Sequence, residues 1–148
     1  MQEEGTMVEL KVRYLKDIEE LEKTSKGDWI DLRAAENVTM AAGEYKVIPL
    51  GVAIQLPEGY EAIMAPRSSA FKHWGIIPVN AIGVVDNSYC GDNDEWGFLA
   101  LATRDTAIHK NDRICQFRVL LNQPEIEFNV VESLGNKDRG RIGSTGKR

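Results

Sequence analysis

Hydrophobic and polar residues alternate with a period of two along Met7–Tyr14, where Val8, Leu10, Val12 and Tyr14 share one side. Short apolar or alternating runs follow at Tyr45–Ile48, Val52–Leu56 and Glu61–Ala65, separated by Pro49-Leu50-Gly51 and Pro57-Glu58-Gly59. The pattern continues at Ile76–Val79, Ile82–Val85, Phe98–Ala102, Ile114–Leu121 and Ile126–Val131. Turn residues recur about every ten positions, the spacing of an all-β sandwich or jelly roll. Two segments are candidates for helix: the charged Asp17–Lys23, and Ser68–His73 after Pro66. Strand and helix do not alternate, which disfavours a doubly wound nucleotide fold.

The chain's 148 residues correspond to one domain, with 43% hydrophobic and 28% charged residues, the balance of a globular protein that needs no disulfide or metal to fold. A net charge of −5 argues against a nucleic-acid polymer as partner, because neutralising phosphates requires a Lys/Arg surplus. The longest near-apolar stretches, Val47–Pro57 and Gly75–Val85, fall well short of the roughly 20 residues that span a bilayer. No signal-peptide pattern opens the chain, so a cytoplasmic location is expected. Cys90 and Cys115 are expected to be reduced thiols, half-buried in strands.

Charge is unevenly placed. The stretch from Lys137 to Arg148 carries Lys137, Arg139, Arg141, Lys147 and Arg148 against Asp138 alone, with Gly140, Gly143 and Gly146 among them. Such a segment cannot bury an apolar face and is expected to be mobile. Walker A, G-x-G-x-x-G and H-E-x-x-H patterns do not occur, and His73 and His109 lack cysteine partners at zinc spacing.

Five polar clusters lie among the strands: Gly27–Ala35, Ala65–Ala70, Asn80–Asp92, Asp112–Phe117 and Arg139–Gly146. Taken singly, each has a structural explanation, such as a turn cap at Asp31, a helix cap at Pro66-Arg67-Ser68-Ser69, a hairpin turn at Asp86 or a solvent-facing Gln116. Together they assemble a chemistry. Arg67, Ser68 and Ser69 offer a cation and two hydroxyls to phosphate oxygens, and Arg139, Ser144 and Thr145 repeat that offer among glycines. Asp86 follows Val84-Val85; a partly desolvated but ionised carboxylate there can act as a base towards water. Tyr89 supplies a flat ring against which a sugar can pack.

In order and spacing, the five clusters resemble the motifs of the trimeric deoxyuridine triphosphatases over about Asp28 to Lys147. Gly83-Val84-Val85-Asp86, with Tyr89 and Gly91, and the ending Gly143-Ser144-Thr145-Gly146 are the specific parts. Asp28–Ala35 and Asp112–Phe117 further resemble the branch of Gram-positive bacteria and their phages.

The resemblance implies a distorted jelly roll of residues 1–136 and a flexible phosphate-binding arm of residues 137–148. Three chains would form a homotrimer whose sites draw motifs from more than one subunit. The implied reaction converts dUTP to dUMP and pyrophosphate by attack of water on the α-phosphorus, with Asp86 activating the water. Mg²⁺ would bind the phosphates and meet Asp31 and Gln116 through water. Arg67, Ser68, Ser69, Arg139, Ser144 and Thr145 would hold phosphate oxygens. Uracil would enter the hairpin Asn80–Tyr89 and pair with backbone around Ile82, Gly83 and Val84, beside Val85, while Tyr89 would exclude a 2′-hydroxyl.

Two departures from the family pattern stand out. The arm is two residues shorter, with Ile142 where an aromatic stacks on uracil, and Ser69 replaces a common glycine. Trp96, in the unusual stretch Asn93–Phe98, is the expected replacement lid, with a place at the subunit interface as the other reading. A dCTP deaminase of the same fold and a non-catalytic nucleotide-sensing regulatory protein are the rival functions. The former requires a catalytic glutamate near the pyrimidine, where the third cluster has Asp86 and Tyr89.

Overall fold

A computed structural model describes residues 7–142. Eleven strands and one short helix follow in the order β1 Lys11–Tyr14, β2 Ile30–Arg33, β3 Val38–Met40, β4 Tyr45–Pro49, β5 Val52–Gln55, β6 Tyr60–Pro66, α1 Ala70–Trp74, β7 Ile76–Pro78, β8 Gly83–Val85, β9 Gly97–Ala102, β10 Thr106–Ile108 and β11 Arg113–Leu121. All pairings are antiparallel. One sheet runs β2-β11-β6-β8, a second β4-β9-β7, and the pairs β1-β5 and β3-β10 complete the architecture, a distorted all-β jelly roll.

The core takes the inward residues of several strands. In β9 the alternation is regular, with Phe98, Ala100 and Ala102 buried. In β11 the consecutive residues Ile114 and Cys115 are both buried. A shift of register against β2 between Arg113 and Cys115, the signature of a β-bulge, breaks the period-two rule there. Trp96 and Phe117 are the largest fully buried side chains and meet edge to face, with centroids 5.1 Å apart. Among the described residues, no polar or charged residue is fully buried.

Helix α1 starts after Ser69, whose side chain makes no capping hydrogen bond, and stops at Gly75. Gly75 takes φ 63° and donates its N–H to the Phe71 carbonyl, a left-handed ending that glycine adopts without steric cost.

Three expectations need correction. Asp17–Lys23 is not helical. The Glu19 N–H is taken by Asn111 Oδ1 and the Leu21 N–H by the Tyr14 hydroxyl, so remote side chains replace the local ladder. Among the described residues, Ile126–Val131 forms no strand; it is exposed, with Phe128 and Val130 at least 90% accessible. Cys115 is fully buried, with its thiol pushed far above its ordinary range by desolvation and by the charge of Asp31, whereas Cys90 is exposed in the loop after Tyr89. Among the described residues, no helix is long and apolar enough to cross a membrane.

Candidate active site

Strand β8 is an edge strand. It pairs with β6 through Ala62↔Val85, Ile63↔Val84 and Met64↔Gly83, and among the described residues its other edge has no strand beside it. An open edge presents backbone donors and acceptors of fixed identity to whatever lies alongside. The approach to β8 turns at Ala81, where φ is 60° and the Ile82 N–H bonds back to the Asn80 carbonyl at 2.6 Å, the tight three-residue bond of a γ-turn. A left-handed, non-glycine residue at such a point is a local strain held by its surroundings. Gly83 sits close on β6: a Cβ there would meet Met64 Cβ at 3.1 Å.

A cleft of about 560 Å³ opens along β8. Asn80, Gly83, Val84, Val85, Asp86, Ser88 and Tyr89 line it, together with Val47, Met64, Glu95, Trp96, Gly97 and Leu99. Of the predicted base-site residues, Ile82 is absent from this lining, and its N–H is already engaged within the turn.

Asp86 opens a β-turn closed by the Tyr89 N–H on the Asp86 carbonyl at 3.0 Å. Both the backbone N–H and the hydroxyl of Ser88 donate to Asp86 Oδ2, an Asx-type arrangement. These bonds, the hydroxyl first, hold the Asp86 carboxyl below its ordinary value of 3.8, and desolvation opposes them only weakly because the group is exposed. The expected partial desolvation of Asp86 is therefore corrected: the carboxylate is exposed, and hydrogen bonding from Ser88 lowers its pKa. With Oδ2 engaged by Ser88, Oδ1 is the oxygen left for a water. Asn87 staples the turn to the body, donating to the carbonyls of Leu56 at 3.1 Å and Pro57 at 2.9 Å.

Trp96 departs from expectation. It is 1% exposed and packed on Phe117 inside its own chain, so it forms a wall of the cleft and fits neither a swinging lid nor a subunit-interface residue.

A second group gathers at the other end of β6. Gln116 stands opposite Asp31 on β2 and opposite Ala65 on β6. Asp31 pairs with Arg67 Nε and with Arg113, each at 3.3 Å. Arg67 also donates to the Arg113 carbonyl at 3.0 Å, and Gln116 Nε2 to the Pro66 carbonyl at 3.2 Å. Ser68 and Ser69 follow immediately on the turn into α1, Ser68 exposed. Continuing the β6–β8 register places Asp86 opposite Glu61, six positions before Arg67, about 20 Å along the strand at roughly 3.3 Å per residue. Within one chain the two groups are thus apart. Arg139 lies in the exposed stretch beyond β11, and Ser144 and Thr145 lie outside the described residues.

Among the described residues, no cluster of three or more His, Cys, Asp or Glu could cage a metal ion. Each oxygen of Asp31 faces an arginine. This donor set fits a hard cation held by phosphate oxygens and waters, with Asp31 and Gln116 one water removed, and does not fit a site of direct protein ligands.

The dUTPase family model matches residues 17–146. The chain belongs to the dUTPase family. It is 52% identical over 142 residues to the SPbeta prophage-derived deoxyuridine 5′-triphosphate nucleotidohydrolase YosS of Bacillus subtilis, covering 95% of this chain and all of that one. A deoxyuridine 5′-triphosphate nucleotidohydrolase of Finegoldia magna is 39% identical over 121 residues, covering 79% of this chain and 83% of its own. Among solved structures, a mutant dUTPase from phage phi11 of S. aureus, described with a coordinated structural Mg(II) ion, superposes with a TM-score of 0.74 at 20% identity. That match covers 86% of this chain and 99% of the other. The dUTPase of Staphylococcus bacteriophage 80alpha gives 0.75 over the same shares. At that identity the superpositions speak for the fold.

The sequence reading missed Asn87, Ser88, Val47 and Glu95. A serine two residues after an aspartate is a legible Asx-turn signal; Val47 and Glu95 reach the cleft only through tertiary packing and carry no local signature.

Proposed function

We propose that this dUTPase hydrolyses dUTP to dUMP and pyrophosphate in the cleft along β8. The carrying observation is the conjunction, in one cleft, of an open strand edge, the Tyr89 ring and an exposed carboxylate with one oxygen held by Ser88. The β8 edge would pair with uracil, and fixed backbone donors and acceptors would reject cytosine, whose amino group replaces a carbonyl oxygen. Tyr89 would pack on the deoxyribose where a 2′-hydroxyl has no room.

Asp86 Oδ1 orients a water behind the α-phosphorus and accepts its proton. The water oxygen forms the new P–O bond, and the bond to the bridging oxygen of the departing pyrophosphate breaks. A carboxylate of lowered pKa is a modest base but is ionised throughout the neutral range, and its basicity is sufficient as the attacking water becomes acidic in the transition state. Arg67, Ser68, Ser69, Arg139, Ser144 and Thr145 hold phosphate oxygens. Asp31 and Gln116 would hold, through water, a Mg²⁺ ion carried by the phosphates, which would supply positive charge for the departing pyrophosphate.

About 20 Å between Asp86 and Arg67 is more than the distance from an α-phosphorus to the terminal oxygens. One nucleotide reaches both groups only if they come from different subunits, and a homotrimer supplies that arrangement. The arm of residues 137–148 closes the site from a neighbouring chain, and the exposed alternation Ile126, Phe128, Val130 finds its strand partner there. No membrane or nucleic-acid polymer enters this scheme, and a cytoplasmic location suits a free nucleotide substrate.

The test is an assay of the full chain with dUTP and dCTP in the presence of Mg²⁺, reading pyrophosphate and ammonia. Pyrophosphate from dUTP alone is expected, falling about 10²–10⁴-fold in Asp86→Asn. Ammonia from dCTP would replace this reading with the deaminase, and absence of both products would replace it with a non-catalytic nucleotide binder.

A further inference from the structure

Tyr89 sits in an exposed loop, and a ring that discriminates between sugars has to be held at a fixed depth. Its hydroxyl donates to the main-chain carbonyl of Glu95 at 2.8 Å. The carboxylate of the same Glu95 accepts the Gly51 N–H at 2.9 Å, in the turn between β4 and β5. That turn is an unyielding anchor. Gly51 has φ 73°, and a Cβ there would meet Ile18 and Ala35 side chains at 3.0 and 3.1 Å. The next residue is stitched to the same turn, with the Trp96 N–H on the Val52 carbonyl and the Leu50 N–H on the Trp96 carbonyl. Trp96 itself is locked in the core against Phe117.

We infer that Glu95 is a positioning residue for Tyr89: its carboxylate fastens the 89–96 loop to Gly51, its carbonyl holds the Tyr89 hydroxyl, and together they set the ring that selects a deoxyribose. The inference rests on the dUTP reading above and adds to it a specificity residue outside the five motif clusters. Burial, followed by the charges of Asp94 and Glu95, raises Tyr89 above its ordinary value of 10.0, so the hydroxyl keeps the proton that it donates. Arg13 braces the far side of the loop, donating to the Asp92 carbonyl at 2.6 Å, so loss of the Glu95 carboxylate loosens the tyrosine end without freeing the whole segment.

Steady-state kinetics of the full chain with dUTP and with UTP, in Mg²⁺, test this. Glu95→Ala is expected to raise KM for dUTP several-fold with kcat changed less than about twofold, and to cut the dUTP-over-UTP preference in kcat/KM about tenfold. Glu95→Gln keeps an acceptor for the Gly51 N–H and is expected to restore the preference. Tyr89→Phe, lacking only the hydroxyl, is expected to lose preference as Glu95→Ala does, and the double variant to lose little more. An unchanged preference in a folded Glu95→Ala overturns the inference. If that variant does not fold, an unchanged preference in Tyr89→Phe overturns it, and a reduced one supports it. Wild-type protein that releases no pyrophosphate from dUTP refutes the dUTP reading itself. Activity with undisturbed discrimination in the variants refutes only the role of Glu95.

Discussion

The carboxylate at position 86 is shaped by the residue two places on. Ser88 gives it two hydrogen bonds on one oxygen, which lowers its pKa and leaves the other oxygen for a water. The sign of the resulting pH dependence follows directly. A depressed pKa leaves Asp86 ionised above its lowered folded-state value, and its function as a base is lost only as pH falls through that value. Ser88→Ala removes the larger of the two lowering bonds, so the titration of Asp86 moves up towards 3.8 and the acid limb of the rate profile moves with it. Following the Asp86 carboxyl carbon by NMR from neutral to acid pH measures this; a curve that does not move on substitution would remove Ser88 from the account. At this scale the sequence marked out Asp86 and Tyr89, which the structure brings into one cleft; their proposed roles are for kinetics to test. It was silent on Glu95, because a glutamate's meaning here comes from a backbone N–H 44 positions away.

Strands whose alternation extends over four or more residues were readable. β4, β5, β6, β9 and β11 lie within a residue or two of the hydrophobic pattern. β7 and β8, of three residues each, also fall in apolar runs of the sequence, whereas β2, β3 and β10 lie outside those runs and take shape in the tertiary pairings β2–β11 and β3–β10. Asp17–Lys23 reads as a short charged candidate for helix, yet Asn111 and Tyr14 take two of its N–H groups from outside. Trp96, expected as a lid or at a subunit interface, packs in the core of its own chain, since an aromatic beside an acidic loop does not reveal which way it turns. Its place predicts an energetic consequence. Trp96→Ala leaves a void against Phe117 and is expected to cost about 3–5 kcal/mol of unfolding free energy. Urea unfolding measures it; a loss under about 1 kcal/mol would contradict the buried placement.

At the scale of the molecule, the proposed base and the proposed phosphate-binding cation lie towards opposite ends of β6, Asp86 by Glu61 and Arg67 beyond Pro66. The same motif order that identifies the family could not reveal this separation, because sequence spacing does not say which residues share a site. In the proposed trimer, each substrate takes its general base from one chain and its phosphate cations from the next. Subunit mixing tests that arrangement most directly. Asp86→Asn and Arg67→Ala are each expected to be nearly inactive alone. Unfolded together in equal amounts and refolded, they form hybrid trimers in which roughly a quarter of the sites pair an intact Asp86 with an intact Arg67 on the neighbour. The expected result is pyrophosphate release from dUTP at about a quarter of the wild-type rate. A mixture no more active than its two components would contradict the shared site.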